Sequence, residues 1–568
     1  MDSELIDSNQ MRYVFYNGMK SLLGYGKVNI VMRENSFHDL LAKQLEKDKP
    51  MLFGSGVAFQ YISVSSMFLS SAIFYFFLAH LLPVNIVGSI SLLYAIIAIA
   101  TTVFMLGLSN GIQHFFSYHL TRNNNSTLIA LIRRTALLGI LLAISAFFAI
   151  YYLSYYISIL FFHSVYYELY IKIIGIAVGA SVIVNIFSSM LLGLNQYKKY
   201  SLIYSFVYTL TYFFPLALLF IFKNPVYLIS GIAIINITSA MVFIFFILQL
   251  YKRIRKENTN YEVEHYKNII HYSVPLFFSS IMVTSATYID RIVVSYFVNL
   301  SSLGIYNFAL VIAGAAPLLV SPVSTLLVPK LSAFFSLDNK IAFRSSIRTL
   351  LNMVSLLYIP SALGIAALSR PILYVFAGKP YEEAYIPLII IMFMSSLFIG
   401  ATVLTTGISS IRKTRIYLFS SSLSLISNLV LSVILIPIFS IVGAAVSYSS
   451  MNAVNFIIIY YYAKKYEIVK YDVPRITKIW VASILMFISV FAFQSFISYS
   501  MINIFICICF GLMIYLLEIK IFKLVNKDEM NYVLSVIPIR FSFIRNLIKN
   551  LAYNDKKQPN DRKFRIIK

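Results

Sequence analysis

Apolar residues in this chain are gathered into long continuous segments separated by short polar ones. Fourteen segments approach or exceed the roughly 20 residues that a helix needs to cross a bilayer. A closed β-barrel would instead require short alternating strands, not uninterrupted apolar runs such as 140–160. The pattern therefore predicts an all-α polytopic membrane protein with 14 transmembrane helices. They are expected at about 56–82, 86–109, 135–162, 171–193, 201–222, 226–250, 269–298, 304–327, 349–369, 385–409, 416–437, 441–463, 477–499 and 503–523.

Composition leaves little room for a soluble domain. Of 568 residues, 59% are apolar and 12% are charged, whereas soluble domains carry about 25% charged residues. The longest polar stretches lie at the two ends and barely exceed the roughly 40 residues below which a chain rarely folds alone. We therefore expect a cytoplasmic N-terminal arm over 1–54, a cytoplasmic linker over 251–268 and a basic cytoplasmic tail over 524–568. Within the tail, 532–551 is predicted to lie along the membrane surface.

Positive charge is unevenly distributed among the loops. If the N-terminus is inside and the segments alternate, all but five of the 46 lysines and arginines lie in or beside inside segments. The exceptions are Lys172, Lys223, Arg291, Arg370 and Lys379. Cytoplasmic loops carry such an excess, so both termini are predicted to be cytoplasmic in a multi-pass protein of the cytoplasmic (plasma) membrane. The net charge of +24 is spread over these segments and meets anionic lipid, so no nucleic-acid partner is expected.

The chain also repeats itself. Three pairs of glycines occupy corresponding places along the apolar segments, which predicts two copies of a six-helix unit. The pairs are Gly88 and Gly304, Gly193 and Gly407, and Gly231 and Gly443, separated by 216, 214 and 212 residues. We expect a first bundle over 55–250, a second over 269–463 and two additional helices over 464–523. Because six is even, both bundles insert in the same sense, as in secondary transporters whose substrate path runs between parallel repeats.

Charged residues within predicted spans are expensive, so Asp290 and Arg291 in the seventh span are candidates for function. Neighbours on a helix point about 100° apart, so both can face one cavity but not one point. The guanidinium of Arg291 suits an anionic group such as a phosphate, and Asp290 is expected to position Arg291 or to respond to protons. An ion pair that only fixes helix packing is the alternative for both residues.

Other polar residues in the spans favour hydrogen bonds between helices, but Gln60 and Asn307 are additional cavity candidates because they lie in the first and eighth spans. Three prolines interrupt the backbone hydrogen bonding of the seventh and eighth spans and are hinge candidates. These are Pro275, Pro317 and Pro322. A static kink explains each proline equally well.

Several chemical classes are disfavoured by what the sequence lacks. No phosphate-binding loop of the form G-x-x-x-x-G-K-[ST] is present, and no His or Cys spacing indicates a metal. The predicted outer loops are short, so a large extracellular catalytic domain is not expected. We expect no cofactor and no covalent catalysis by this chain.

Four ordered motifs resemble the polysaccharide transporter (Wzx-like) family of the multidrug/oligosaccharidyl-lipid/polysaccharide flippase superfamily, over about residues 55–520. The motifs are FMLGLSNGI (Phe104–Ile112), the stretch His271–Leu310 with Pro275, Asp290, Gly304 and Tyr306, VFAGKPYEEA (Val375–Ala384) and IPIFSIVGAAVSYS (Ile436–Ser449). The resemblance implies a rocking helical bundle with a central cavity. It also implies that a lipid-linked saccharide, on an isoprenoid phosphate or pyrophosphate carrier, is moved across the cytoplasmic membrane.

Alternatives remain open from the sequence. A multidrug or cation antiporter of the same superfamily would need a titrating carboxylate, for which Asp290 is the candidate. A membrane polysaccharide polymerase or ligase would need a large outer loop, and a scaffold for glycosyltransferases would need no cavity. A cationic cavity favours the flippase, and a purely acidic cavity favours the antiporter. Glycosyltransferases are also possible partners of a flippase.

Overall fold

The computed structural model describes residues 50–121, 125–255, 266–320, 331, 334–335, 339–411, 413–468 and 472–525. The predicted arm up to residue 49, most of the linker, Pro322 and the tail after residue 525 lie outside the described residues. So does the predicted surface segment 532–551. The side chains of Gln60 and Pro275 are also outside what is described.

The regular structure of the described residues is helical throughout. The helices are α1 (Pro50–Leu81), α2 (Val84–Met105), α3 (Leu108–Thr121), α4 (Asn125–Phe162), α5 (Glu168–Gly193), α6 (Tyr197–Phe222), α7 (Pro225–Arg255), α8 (Tyr266–Phe297), α9 (Leu300–Ala313), α10 (Lys340–Ala367), α11 (Ser369–Ala377), α12 (Tyr385–Leu397), α13 (Gly400–Ser410), α14 (Thr414–Lys465), α15 (Val473–Gln494) and α16 (Met501–Phe522). Short 3₁₀ turns cover Val165–Tyr167, Ala316–Leu319 and Lys379–Ala384.

The all-helical, multi-span architecture predicted from the sequence is confirmed, but the count of 14 is not. Among the described residues, 12 helical stretches are long and apolar enough to cross a membrane. A thirteenth is added if Lys379–Leu397 and Gly400–Ser410, which meet at a 44° bend, form one broken span.

The longest helix, α14, accounts for much of the difference in count. Its 52 residues would extend about 78 Å at 1.5 Å per residue, more than twice the roughly 30 Å hydrocarbon core. The backbone leaves helical geometry at Ser440, where φ is 50° and ψ is −130°. Ser420 then donates a 2.6 Å hydrogen bond to Asn455, and the Ser427 and Ser450 hydroxyls lie 3.0 Å apart. The two arms of α14 therefore run antiparallel as a hairpin.

Two groups of helices pack separately. In the first group, α4 packs on α5, α5 on α7, α7 on α6 and α6 on α1. In the second, α8 packs on α14, α14 on α12 and α13, and α12 on α10. The last helices, α15 and α16, pack on each other and attach to the second group through α10. One link is the Tyr515 hydroxyl, which donates to the Leu356 carbonyl at 2.8 Å.

The two groups meet where α2 packs against α8 and α9. The backbones of α2 and α9 touch, because a Cβ on Gly88 would lie 1.8 Å from the Leu300 oxygen and one on Gly304 would lie 2.4 Å from the Val84 oxygen. One turn further along, Ser91 donates a 2.7 Å hydrogen bond to Asn307 Oδ1. We call this contact, formed by Gly88, Ser91, Gly304 and Asn307, the glycine seam.

Candidate functional site between the helix groups

Asp290 lies within the second helix group and is fully buried, with 0% of its surface exposed. Its Oδ2 accepts a 2.6 Å hydrogen bond from the Tyr306 hydroxyl, which also lies 3.5 Å from the Ala444 carbonyl oxygen. The other oxygen, Oδ1, has no hydrogen-bond partner among the described residues. Asp290 therefore ties α8 to α9 close to α14.

Arg291, the next residue, is half-buried and points elsewhere. Its Nη1 donates to the Thr287 carbonyl at 3.2 Å, and its guanidinium lies 4.6 Å from the centre of the Tyr288 ring. In the described part of the chain, the ion pairs involve neither Asp290 nor Arg291. Since a guanidinium carries five N–H donors, most of the donors of Arg291 remain available to a ligand.

Tyrosines from both helix groups surround this guanidinium. Tyr75 on α1 and Tyr288 and Tyr306 beside Arg291 lie within its electrostatic reach. Tyr448 on α14 lies within reach of both Asp290 and Arg291. The cation is thus placed among phenol rings where the two groups face each other. Tyrosine tolerates such a position because one side of the residue is apolar and the other is polar.

Asn307 lies in the glycine seam and is buried, with 3% of its surface exposed. Its Oδ1 is occupied by Ser91, but its Nδ2 has no hydrogen-bond partner among the described residues. Further along α2, the Thr102 hydroxyl donates to the Thr284 hydroxyl of α8 at 3.3 Å. Two of the polar contacts between the groups therefore lie along α2.

The two groups are also in contact near both ends of α8. Near its start, a Cβ on Gly107 would lie 2.5 Å from the Ser273 oxygen, and Leu106 and Gly107, which separate α2 from α3, adopt positive φ values of 47° and 69°. Near its end, His163 Nε2 lies 3.1 Å from the Ser295 oxygen and 3.2 Å from the Tyr296 oxygen. The residue that directly follows α4 therefore contacts the last turn of α8.

The hinge candidates have different surroundings. Pro317 lies in the 3₁₀ turn Ala316–Leu319, directly after the end of α9 at Ala313, so a backbone break does occur there. Pro275 lies inside the continuous helix α8, and Pro322 is outside the described residues. The Leu106–Gly107 break between α2 and α3 was not among the predicted hinges, although the Leu-Gly pair in the FMLGLSNGI motif was its signal in the sequence.

Comparisons with known proteins identify the family of this chain. A model of the family described as "Polysaccharide biosynthesis protein" matches residues 53–335. The capsular polysaccharide biosynthesis protein CapF of Staphylococcus aureus is 30% identical over 303 residues, which cover 52% of this chain and 68% of CapF. The chain belongs to the polysaccharide biosynthesis protein family.

A second relative of this chain comes from Haloferax volcanii. The protein named probable low-salt glycan biosynthesis flippase Agl15, from Haloferax volcanii, is 25% identical over 288 residues. The matched region covers 50% of this chain and 61% of Agl15, so the chain spans less than two thirds of that relative.

Solved structures share the fold of this chain. The lipid II flippase MurJ in an inward closed conformation superposes with a TM-score of 0.65 at 18% identity, covering 83% of this chain and 98% of MurJ. An inward-facing multidrug resistance MATE family transporter of the MOP superfamily gives a TM-score of 0.57 at 12% identity, covering 74% of this chain and 94% of the transporter. The predicted family resemblance is confirmed.

Proposed function

We propose that this chain is a flippase that moves a lipid-linked oligosaccharide or polysaccharide repeat unit across the cytoplasmic membrane by alternating access. The observation that carries the proposal is the half-buried Arg291 guanidinium, which keeps donors without a partner among the described residues and faces both helix groups. A phosphate or pyrophosphate on an isoprenoid carrier is the matching anion, because guanidinium geometry suits phosphate oxygens. The names of CapF and Agl15 support a saccharide cargo.

The proposed transport follows from the physics of the bilayer. A charged saccharide head cannot cross about 30 Å of hydrocarbon unaided, whereas the isoprenoid tail is soluble in lipid. We infer that the head passes between two six-helix bundles, 55–250 and 269–463, while the tail remains outside them. Residues 464–523 add two helices to the second bundle. The chain itself carries out no covalent step in this proposal.

The glycine seam supports this arrangement. Gly88 faces Gly304 and Ser91 faces Asn307, and both pairs are 216 residues apart. Two helices that touch at equivalent residues in the same order run in the same direction, so we infer a two-fold axis parallel to them. That axis lies along the membrane normal, as in transporters built from parallel repeats. In this proposal, both termini face the cytoplasm, as the positive charge of the inner loops favours.

An experiment on Arg291 tests the flippase proposal. Arg291→Ala should reduce the arrival of lipid-linked glycan at the outer face by about ten- to hundredfold, the usual effect of losing a charge-assisted hydrogen bond. Arg291→Lys keeps the charge but loses the planar arrangement of donors, so its transport should lie between that of the wild type and that of Arg291→Ala. Arg253→Ala, at an exposed cation of α7, is the matched control. Wild-type transport by Arg291→Ala at normal protein abundance would remove Arg291 from the mechanism.

A second candidate function is a multidrug or cation antiporter, since the fold is shared with a MATE transporter and Asp290 Oδ1 has no partner among the described residues. This candidate is less well supported because Tyr306 holds Asp290 inside the second helix group. Asp290→Asn distinguishes the two functions. A flippase based on Arg291 should keep most of its transport, whereas a proton-coupled antiporter should lose it.

A further inference from the structure

Four tyrosines form a row along α6, spaced four residues apart. They are Tyr200, Tyr204, Tyr208 and Tyr212, and their successive ring centres are 5.2, 6.0 and 5.4 Å apart. Residues at this spacing lie above one another on a helix. We call them the tyrosine row.

The tyrosine row faces away from lipid. Leu202 and Phe206 are the lipid-facing side chains of this part of α6, with 65% and 67% of their surfaces exposed. At about 100° per residue, Tyr204 and Tyr208 lie about 160° and 200° around the helix from Phe206. Both tyrosines are nevertheless only half-buried. The row therefore faces the protein interior without being fully packed.

Two of the four hydroxyl groups of the row make no hydrogen bond in the described part of the chain. These are the hydroxyls of Tyr200 and Tyr204, whereas those of Tyr208 and Tyr212 lie 3.4 Å apart and bond to each other. Tyr94, whose ring centre lies 6.4 Å from that of Tyr212, has a buried hydroxyl with no partner in the described part of the chain. A buried hydroxyl without a partner is costly, so Tyr94 would gain from a polar ligand, and the Tyr200 and Tyr204 hydroxyls offer further hydrogen-bonding capacity.

The tyrosine row also extends towards the Arg291 guanidinium. Tyr200 lies near the inner end of α6, and Tyr212 is about 18 Å further along the helix. Tyr208 lies within electrostatic reach of Tyr288, whose ring is beneath the Arg291 guanidinium. A ligand anchored at Arg291 by an anionic group can therefore extend along the row.

We propose that the tyrosine row binds the sugar rings of the transported head group, a step that rests on the flippase function proposed above. A pyranose ring has one apolar C–H face and a rim of hydroxyls. A phenol ring matches both features, through its face and its hydroxyl. An isoprenoid tail would use only the ring faces and already has lipid available on the opposite side of α6. The row is therefore a glycan subsite, and Arg291 is the phosphate subsite.

Two probes separate these subsites in binding measurements on the purified full chain in lipid nanodiscs. The first is a polyprenyl pyrophosphate, and the second is the same molecule carrying one N-acetylhexosamine. The wild type should bind the glycosylated probe more tightly. The double variant Tyr204→Ala, Tyr208→Ala should lose that preference, by about three- to tenfold per ring, and should bind the bare pyrophosphate as the wild type does.

Matched variants keep the measurement specific. Tyr152→Ala with Tyr156→Ala removes two tyrosines at the same spacing on α4, where they are 72% and 68% exposed, and should bind both probes as the wild type does. Tyr204→Phe with Tyr208→Phe preserves the rings and should lose only part of the preference. This phenylalanine pair carries the test if the alanine pair does not fold.

The outcomes test the glycan subsite separately from the flippase function on which it rests. Equal wild-type affinity for the two probes, or an equal loss for both in the tyrosine variants, overturns the glycan subsite. Wild-type binding of both probes by Arg291→Ala overturns the phosphate subsite and leaves the row standing. Binding of neither probe by the wild type contradicts both.

Discussion

At the scale of single residues, Asp290 and Arg291 show how adjacent charges acquire different surroundings. The rotation of about 100° between neighbours sends the carboxylate towards Tyr306 and the guanidinium towards Tyr288. Their position in a span was predictable from the sequence. The partner of Asp290 was not, because Tyr306 lies 16 residues away on the next helix and only packing brings the two together.

The Tyr306–Asp290 hydrogen bond should contribute strongly to stability because its acceptor is a buried carboxylate. Tyr306→Phe removes the donor and leaves that acceptor without its partner, so we expect a loss of about 1–3 kcal/mol in the free energy of unfolding. Thermal unfolding of the purified protein measures the change. Tyr152→Phe, at a 72% exposed ring, is the control. An unchanged unfolding midpoint for Tyr306→Phe would show that the bond is not stabilising.

At the scale of elements, apolar length predicted the helices and also the break in α14. The predicted spans 416–437 and 441–463 are separated where α14 leaves helical geometry at Ser440, three residues after Pro437. The tyrosine row was present in the sequence as a four-residue spacing. Spacing alone does not say which side of a helix faces lipid, so the row was not predicted as a site.

The glycine seam is sensitive to added volume because it joins two backbones. Gly88→Ala places a methyl group 1.8 Å from the Leu300 oxygen, so α2 and α9 must separate. We expect lower thermal stability and impaired transport, and the same direction for Gly304→Ala. The matched control is Gly364→Ala, where a Cβ would meet only the Met486 side chain at 3.7 Å. Equal stability of the Gly88 and Gly364 variants would contradict the close contact.

At the scale of the whole molecule, the repeated glycines mark two copies of a helical unit and also the place where those copies touch. Gly88 and Gly304 were recognised as equivalent from the sequence, and in the folded chain they touch each other. Equivalent residues meet only near an axis of symmetry, which the sequence offset alone does not establish.

A cross-link across the seam tests whether the groups separate during transport. Ser91→Cys with Asn307→Cys, with Cys507 and Cys509 replaced by Ser, places two thiols where a 2.7 Å hydrogen bond now lies. Oxidation should join them and stop transport, and reduction should restore it. Each single cysteine variant should be insensitive to oxidant. Full transport by the cross-linked protein would show that α2 and α9 stay together throughout the cycle.

The composition of the glycine seam also determines what is uncovered when its two helices part. At the seam itself, glycines and a hydroxyl–amide pair present main-chain oxygens and small polar groups, whereas the adjacent Val87 and Leu303 are fully buried apolar side chains. Water that enters the gap can replace the lost polar contacts, so the cost of opening falls mainly on the hydrophobic burial that the flanking side chains lose. If the proposed flippase opens here, changes in the size of those flanking side chains should set how easily the two helices part.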